Sequence, residues 1–209
     1  MVRPVGYLFQ YPTGLAGHRG AYYDYLFGSN GCFVEASSPL ITARIPIGGC
    51  EIRGFAPVTT EVHLTYGLIP RHLWDLALET FLADPDCEHY AGVIAENGYR
   101  LYVPAQECHE AKVEYNIGDH VILDLHSHAN MAAGFSPKDN EDETAFKLYA
   151  VVGKLKEWPT VRLRVGVYGN FYDLSWSEVF EGALTGAAEK PEEEVEPIDV
   201  YCKPEAHDP

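Results

Sequence analysis

His126 and His128 stand two apart in "DLHSHANMAAGFSPKDNEDE" (residues 124 to 143), and Asp139 follows eleven residues after His128. On a β-strand alternate side chains share a face, so the two imidazoles project together, about 7 Å apart along the backbone. Converging rings so placed can share one ion. A hydrolytic zinc site commonly takes three protein ligands and leaves the fourth position to water. Asp139 is the natural third ligand, returned by the small-residue loop "ANMAAGF" to the start of an acid-rich helix. Water held by zinc ionises near neutral pH, so the chemistry would be hydrolysis. A base and an oxyanion donor are then required, and Ser136, three residues before Asp139, can donate a hydroxyl. Ordinary readings stand beside each of these. An HxH pair can be two half-exposed histidines, Asp139 can be a helix-opening acid, and Ser136 before Pro137 can be a cap or turn residue. Their coincidence at these spacings favours the metal.

His126-x-His128-x7-Ser136-x2-Asp139 resembles the signature of the JAMM (JAB/MPN+) zinc metalloproteases. The wording of the stretch looks like prokaryotic JAB proteins of the kind called PRTRC system protein A, which occur in plasmid-associated gene clusters. The JAMM-like resemblance covers residues 67 to 184. It implies an α/β fold of the cytidine-deaminase-like JAB/MPN type, with a mixed sheet flanked by helices. It also implies zinc (Zn2+) on His126, His128 and Asp139. An upstream glutamate completes the family's set, and Glu88 in "CEHYAGVIA" stands in that place. Glu88 would take a proton from the zinc water and return it to the leaving amine, while Ser136 stabilises the oxyanion. The implied reaction is hydrolysis of an amide or isopeptide bond, with a ubiquitin-like protein as substrate and an E1-like (ThiF-type) protein as partner. One departure is Ala129, where many family members have proline after the second histidine. The alternative is a catalytically silent JAB-fold module that docks proteins. A relative of the RadC-type JAB proteins is a third reading.

The elements that must position these residues follow from period and punctuation. Residues 1 to 66 form a β-rich N-terminal region, in which "AYYDYLFGSNGCFVEA" reads as a hairpin and "PLITARIPIGG" and "TTEVHLTYG" as strands. "IPRHLWDLALETFLAD" (69 to 84) carries a helical period with Pro70 at its first turn. Strands are expected over 87–95, 99–105, 120–128, 160–169 and 170–176, and a helix over 137–155, its acids crowding the positive N-terminal end. Residues 185 to 209 read as an acidic flexible tail. The connection 105–119 is a possible gate over the site or a plain link. Asp124 shares a face with the two histidines and can orient one of them from behind.

Composition excludes more than it assigns. The 209 residues carry a formal net charge of −16, of which −6 lies in residues 189 to 209. Phosphate-backbone binding, and so nucleic acid, is disfavoured. No eighteen-residue apolar run signals a membrane span. Five cysteines without a CxxC pair, and no N-terminal apolar leader, read as reduced thiols in a cytoplasmic protein. A cysteine-protease pairing within Cys108-His109-Glu110 is disfavoured, because adjacent strand residues point to opposite faces. The three tryptophans read as core.

Overall fold

The computed structural model describes residues 3–105 and 120–190. It is a mixed α/β arrangement, mostly strands in two mixed sheets. The first sheet contains β1 (Val5–Tyr11), β2 (Gly14–His18), β3 (Tyr23–Gly28), β4 (Gly31–Ser37), β5 (Ile41–Gly48) and β6 (Glu61–Leu64). Its order is β2-β1-β3-β4-β5-β6, antiparallel throughout except for the parallel β1–β3 pair. After α1 (Arg71–Ala83) comes the second sheet, with β7 (Tyr90–Ala95), β8 (Tyr99–Tyr102), β9 (Val121–Ser127), β10 (Lys147–Gly153), β11 (Thr160–Val167) and β12 (Asn170–Leu174). It runs β12-β11-β10-β9-β7-β8, and β13 (Ala188–Glu189) pairs parallel with β11. The short helices α2 (Pro137–Asp142) and α3 (Trp176–Val179) complete the described chain.

The β3–β4 hairpin forms where the sequence places it. Gly28 pairs with Gly31 across Ser29-Asn30, and the Asn30 side chain bonds both backbone groups of Val58. α1 buries Leu73, Trp74, Ala77, Leu78 and Phe81, whereas Leu76, which the helical period also includes, is exposed. The buried stripe and the inner residues of both sheets form one core. Val34, Ile41 and Ile45 of the first sheet share it with Leu123, Leu148, Leu163 and Val165 of the second. The N-terminal region is therefore a six-stranded sheet packed on its neighbour, with β1 and β2 strands that no sequence pattern had singled out.

Several expectations are overturned. The helix anticipated over 137–155 is six residues long, and its remainder is the central strand β10. Leu148 to Val152 are all at most 1% exposed, so this segment is apolar on both faces and cannot be told from a buried helix by period alone. The β-branched Val151-Val152 pair and parallel pairing with β9 settle it as strand. Residues 185 to 190 are also in place rather than in a tail. The Trp74 indole N–H donates to the Thr185 carbonyl (2.9 Å), and Lys190 N–H donates to Val161. Residues 191 to 209 lie outside the described residues. Trp74 and Trp176 are core, in edge-to-face contact at 5.4 Å, whereas Trp158 is 63% exposed. Among the described residues Cys32 and Cys50 are free. Among the described residues no helix is long and apolar enough to cross a membrane.

A buried ion network ties the first sheet together. Glu35, 7% exposed, accepts from Arg19 (2.8 Å) and from Arg44 Nε (2.7 Å). Burial works to raise its pKa, but the two guanidinium groups win and hold it below the ordinary 4.5. The folded value lies below the unfolded one, so this stability is fully present above pH 4.5 and is lost as pH falls through the folded value. Glu35→Gln is therefore expected to lower Tm at neutral pH and to flatten its decline below pH 4.5, read by calorimetry across a pH series.

Candidate metal centre

Asp124 and His126 alternate with the core residues Leu123 and Leu125 along β9, so they stand on the sheet face away from the core. His128 follows the strand and is fixed by its N–H bond to the Val152 carbonyl of β10 (2.8 Å). The chain then turns back over the end of β10, with Lys154 N–H donating to Met131 and Leu155 N–H to Ala129. Gly153 makes this approach possible, since a Cβ there would lie 2.3 Å from both the Ala133 nitrogen and the Met131 oxygen. Ala129 adopts φ +45°, a conformation the proline ring cannot take.

α2 presents the third residue. Ser136 caps it, with Oγ accepting from the Asp139 N–H (3.1 Å) while Asp139 Oδ2 accepts from the Ser136 N–H (2.6 Å). This reciprocal cap fixes the aspartate, with Oδ1 turned to His126 and Oδ2 nearer His128. His126 Nε2 lies 3.2 Å from His128 Nε2 and 3.6 Å from Asp139 Oδ1, and His128 Nε2 lies 3.7 Å from Asp139 Oδ2. Ligands about 2.0–2.1 Å from a tetrahedral zinc are separated from one another by about 3.3 Å. The three side chains thus fit such an ion after shifts of a few tenths of an ångström, and they form the possible metal-ligand group among the described residues. Two imidazoles and one carboxylate suit a borderline cation better than calcium or magnesium, which prefer oxygen.

Electrostatics agree with a ligand set. Burial is the main cause lowering the His126 pKa to about 4, which keeps the ring neutral, the form that binds metal. For Asp139 burial acts upward, but the hydrogen bonds from Ser136 and the two imidazoles hold it below the usual carboxylate range.

Glu88 precedes β7. Tyr90 pairs with His126, and the His89 carbonyl accepts from Ser127 N–H (2.8 Å), so continuation of the ladder sets Glu88 beside His128. Glu88 shares its strand face with Tyr90, whose hydroxyl donates to Asp124. It is exposed at the rim of a cavity of about 520 Å³ that also contains His126, His128 and Asp139. Ser136 does not line that cavity; its observed role is the cap. Asp124 is bound by Lys147 (2.5 Å) and Tyr90, so it does not orient an imidazole.

Glu143, which the sequence reading did not single out, lies behind His126 but beyond hydrogen-bond reach. Its Oε1 lies 3.9 Å from His126 Nδ1, on the side of the ring away from the other ligands. Burial raises the Glu143 pKa to about 7 against the pull of Arg164. Arg164, 4% exposed in β11, donates from Nε (3.0 Å) and Nη2 (2.5 Å) to Glu143 and from Nη1 to Asn140 (2.6 Å). Its guanidinium is held 3.7 Å from the ring centres of both Phe135 and Phe171. Two signals were available: Glu143 lies one helical turn after Asp139, and an arginine inside the apolar strand "TVRLRVGV" requires a buried acid.

The segments assigned to a gate (105–119) and to Cys108-His109-Glu110 lie, but for Ala105, outside the described residues. No family model, curated protein or solved structure matches the chain.

Arg164→Met is expected to release α2 and weaken zinc binding by about 10–100-fold, the usual effect of losing an outer partner of a metal ligand. Arg164→Lys should restore little, because one ammonium cannot serve Asn140 and Glu143 together. Competition against a chromophoric chelator measures both.

Proposed function

We propose that this chain is a zinc-dependent peptidase or isopeptidase of the JAMM type, with a JAB/MPN fold in its second sheet. The observation that carries the reading is the convergence of His126, His128 and Asp139 at 3.2–3.7 Å. The Ser136 cap that pre-orients the aspartate supports it. Zinc bound there would supply Lewis acidity and a water that ionises near neutral pH.

The chain's own residues would do the rest. Glu88, at the cavity rim and in register with His128, would receive the water's proton and pass it to the leaving nitrogen. Glu143 would hold His126 in the orientation that turns Nε2 to the ion. Ser136 Oγ accepts from the Asp139 amide, so its own O–H proton remains available for an oxyanion. The substrate would be an amide or isopeptide, beside the C-terminus of a ubiquitin-like protein, with an E1-like partner supplying the conjugate.

One observation favours the second reading, a silent JAB-fold docking module. Ser136 is committed to capping and lies outside the cavity lining, so an oxyanion would have to reach it.

Metal content decides first. Protein purified without chelator or affinity-tag histidines should contain about one zinc per chain, and His128→Ala should contain none. Glu88→Gln should keep its zinc but lose hydrolysis of ubiquitin-like fusions by about 10²-fold or more. Zinc absent from wild type after reconstitution would end the metalloprotease reading. Zinc retained without hydrolysis of any fusion would favour the docking module.

A further inference from the structure

Four strands end the two sheets, and three of them carry a charge that discourages pairing with another chain. β6 has Glu61, β8 has Arg100 and β12 has Asp173. β2, "GLAGH", has no Lys, Arg, Asp or Glu, no proline, and all five of its residues are exposed, Leu15 by 47%. Its surroundings are equally unprotected. The 31 acids of the chain begin only at Asp24, so residues 1 to 23 contain none, alongside Arg3 and Arg19. No acid within residues 1 to 23 opposes the approach of a second copy, and the next acids along the chain, Asp24 and Glu35, are paired with Arg19.

We propose that β2 is a homodimer edge, pairing antiparallel with β2 of a second copy across a twofold axis through Ala16. The five-residue strand is complementary to itself in this register. Leu15 falls opposite Gly17, Gly14 opposite His18, and Ala16 opposite Ala16, so the large apolar side chain meets a residue with none. On the face that β2 shares with β1, the partners of Gly14, Ala16 and His18 are Tyr11, Phe9 and Tyr7. Phe9 stacks on Phe27 and Tyr7 on Tyr25, at 5.5 and 5.7 Å, and Tyr7 and Tyr11 remain 52% and 40% exposed. Pairing through β2 joins these two aromatic surfaces and covers part of each. The contact is smaller than the standard interface of about 1,600 Å², so the dimer is reversible and concentration-dependent.

Sedimentation velocity of the full chain from micromolar to sub-millimolar concentration tests this. A monomer–dimer equilibrium is expected, shifted toward monomer by at least about tenfold in Kd by Ala16→Lys, which sets two ammonium groups together at the axis. Ala16 is exposed, and circular dichroism checks that the variant keeps its fold. Should it not, cross-linking decides. With Cys32 and Cys50 both changed to Ser, Ala16→Cys should form more covalent dimer on oxidation than that parent does, since like residues meet at the axis, and His18→Cys should not. A monomer at every concentration would overturn the proposal, as would a dimer that Ala16→Lys leaves intact and Ala16→Cys fails to trap. Zinc content plays no part in these readouts.

Discussion

A single buried guanidinium holds the candidate centre together. Arg164 projects from the middle of the second sheet on the face away from the core, and a lone cation there would be untenable. Two aromatic rings cover its faces, while Glu143 and Asn140 of the α2 region occupy its edge. Satisfying this charge pulls α2 down onto the sheet. Asp139 then stands over β9, and Glu143 stands behind His126. The gathering of the three candidate ligands is in this sense a by-product of solvating an arginine without water.

Fold and site rest on different sides of the same strands. Asp124 and His126 face one side of β9, and Leu123 and Leu125 between and before them enter the core shared by both sheets. One residue of register slip in β9 would exchange these faces, burying histidines and exposing leucines. Parallel pairing to β10 on one side and antiparallel pairing to β7 on the other fix the register. The same ladder begins two residues after Glu88, which lines the cavity with the histidines although it lies 38 positions upstream of His126.

Legibility in the sequence followed locality. The ligands His126, His128 and Asp139 fall within fourteen residues, and their spacing alone brought them to one place. The β3–β4 hairpin and α1 were similarly legible, since a two-residue turn and a 3.6-residue stripe are local signals. β10 was misread because a strand buried on both faces has no period of two to display. Glu143 and Arg164 were missed because their relation spans 21 residues and a change of element. Ser136 was read for its hydroxyl chemistry, and the structure shows the cap that its position before Pro137 equally allowed. The implied JAB fold and zinc chemistry remain proposals that the geometry supports.

The reciprocal cap between Ser136 and Asp139 has a consequence for the order of events in assembly. Small zinc domains often remain unfolded until the ion arrives, because nothing else gathers their ligands. Here backbone amides and a buried ion pair gather them, and the large core is elsewhere. The polypeptide can therefore mature empty and be loaded afterwards. Under the proposed reading, occupancy would then track how much metal the surroundings supply, and the fold would outlast withdrawal of the ion.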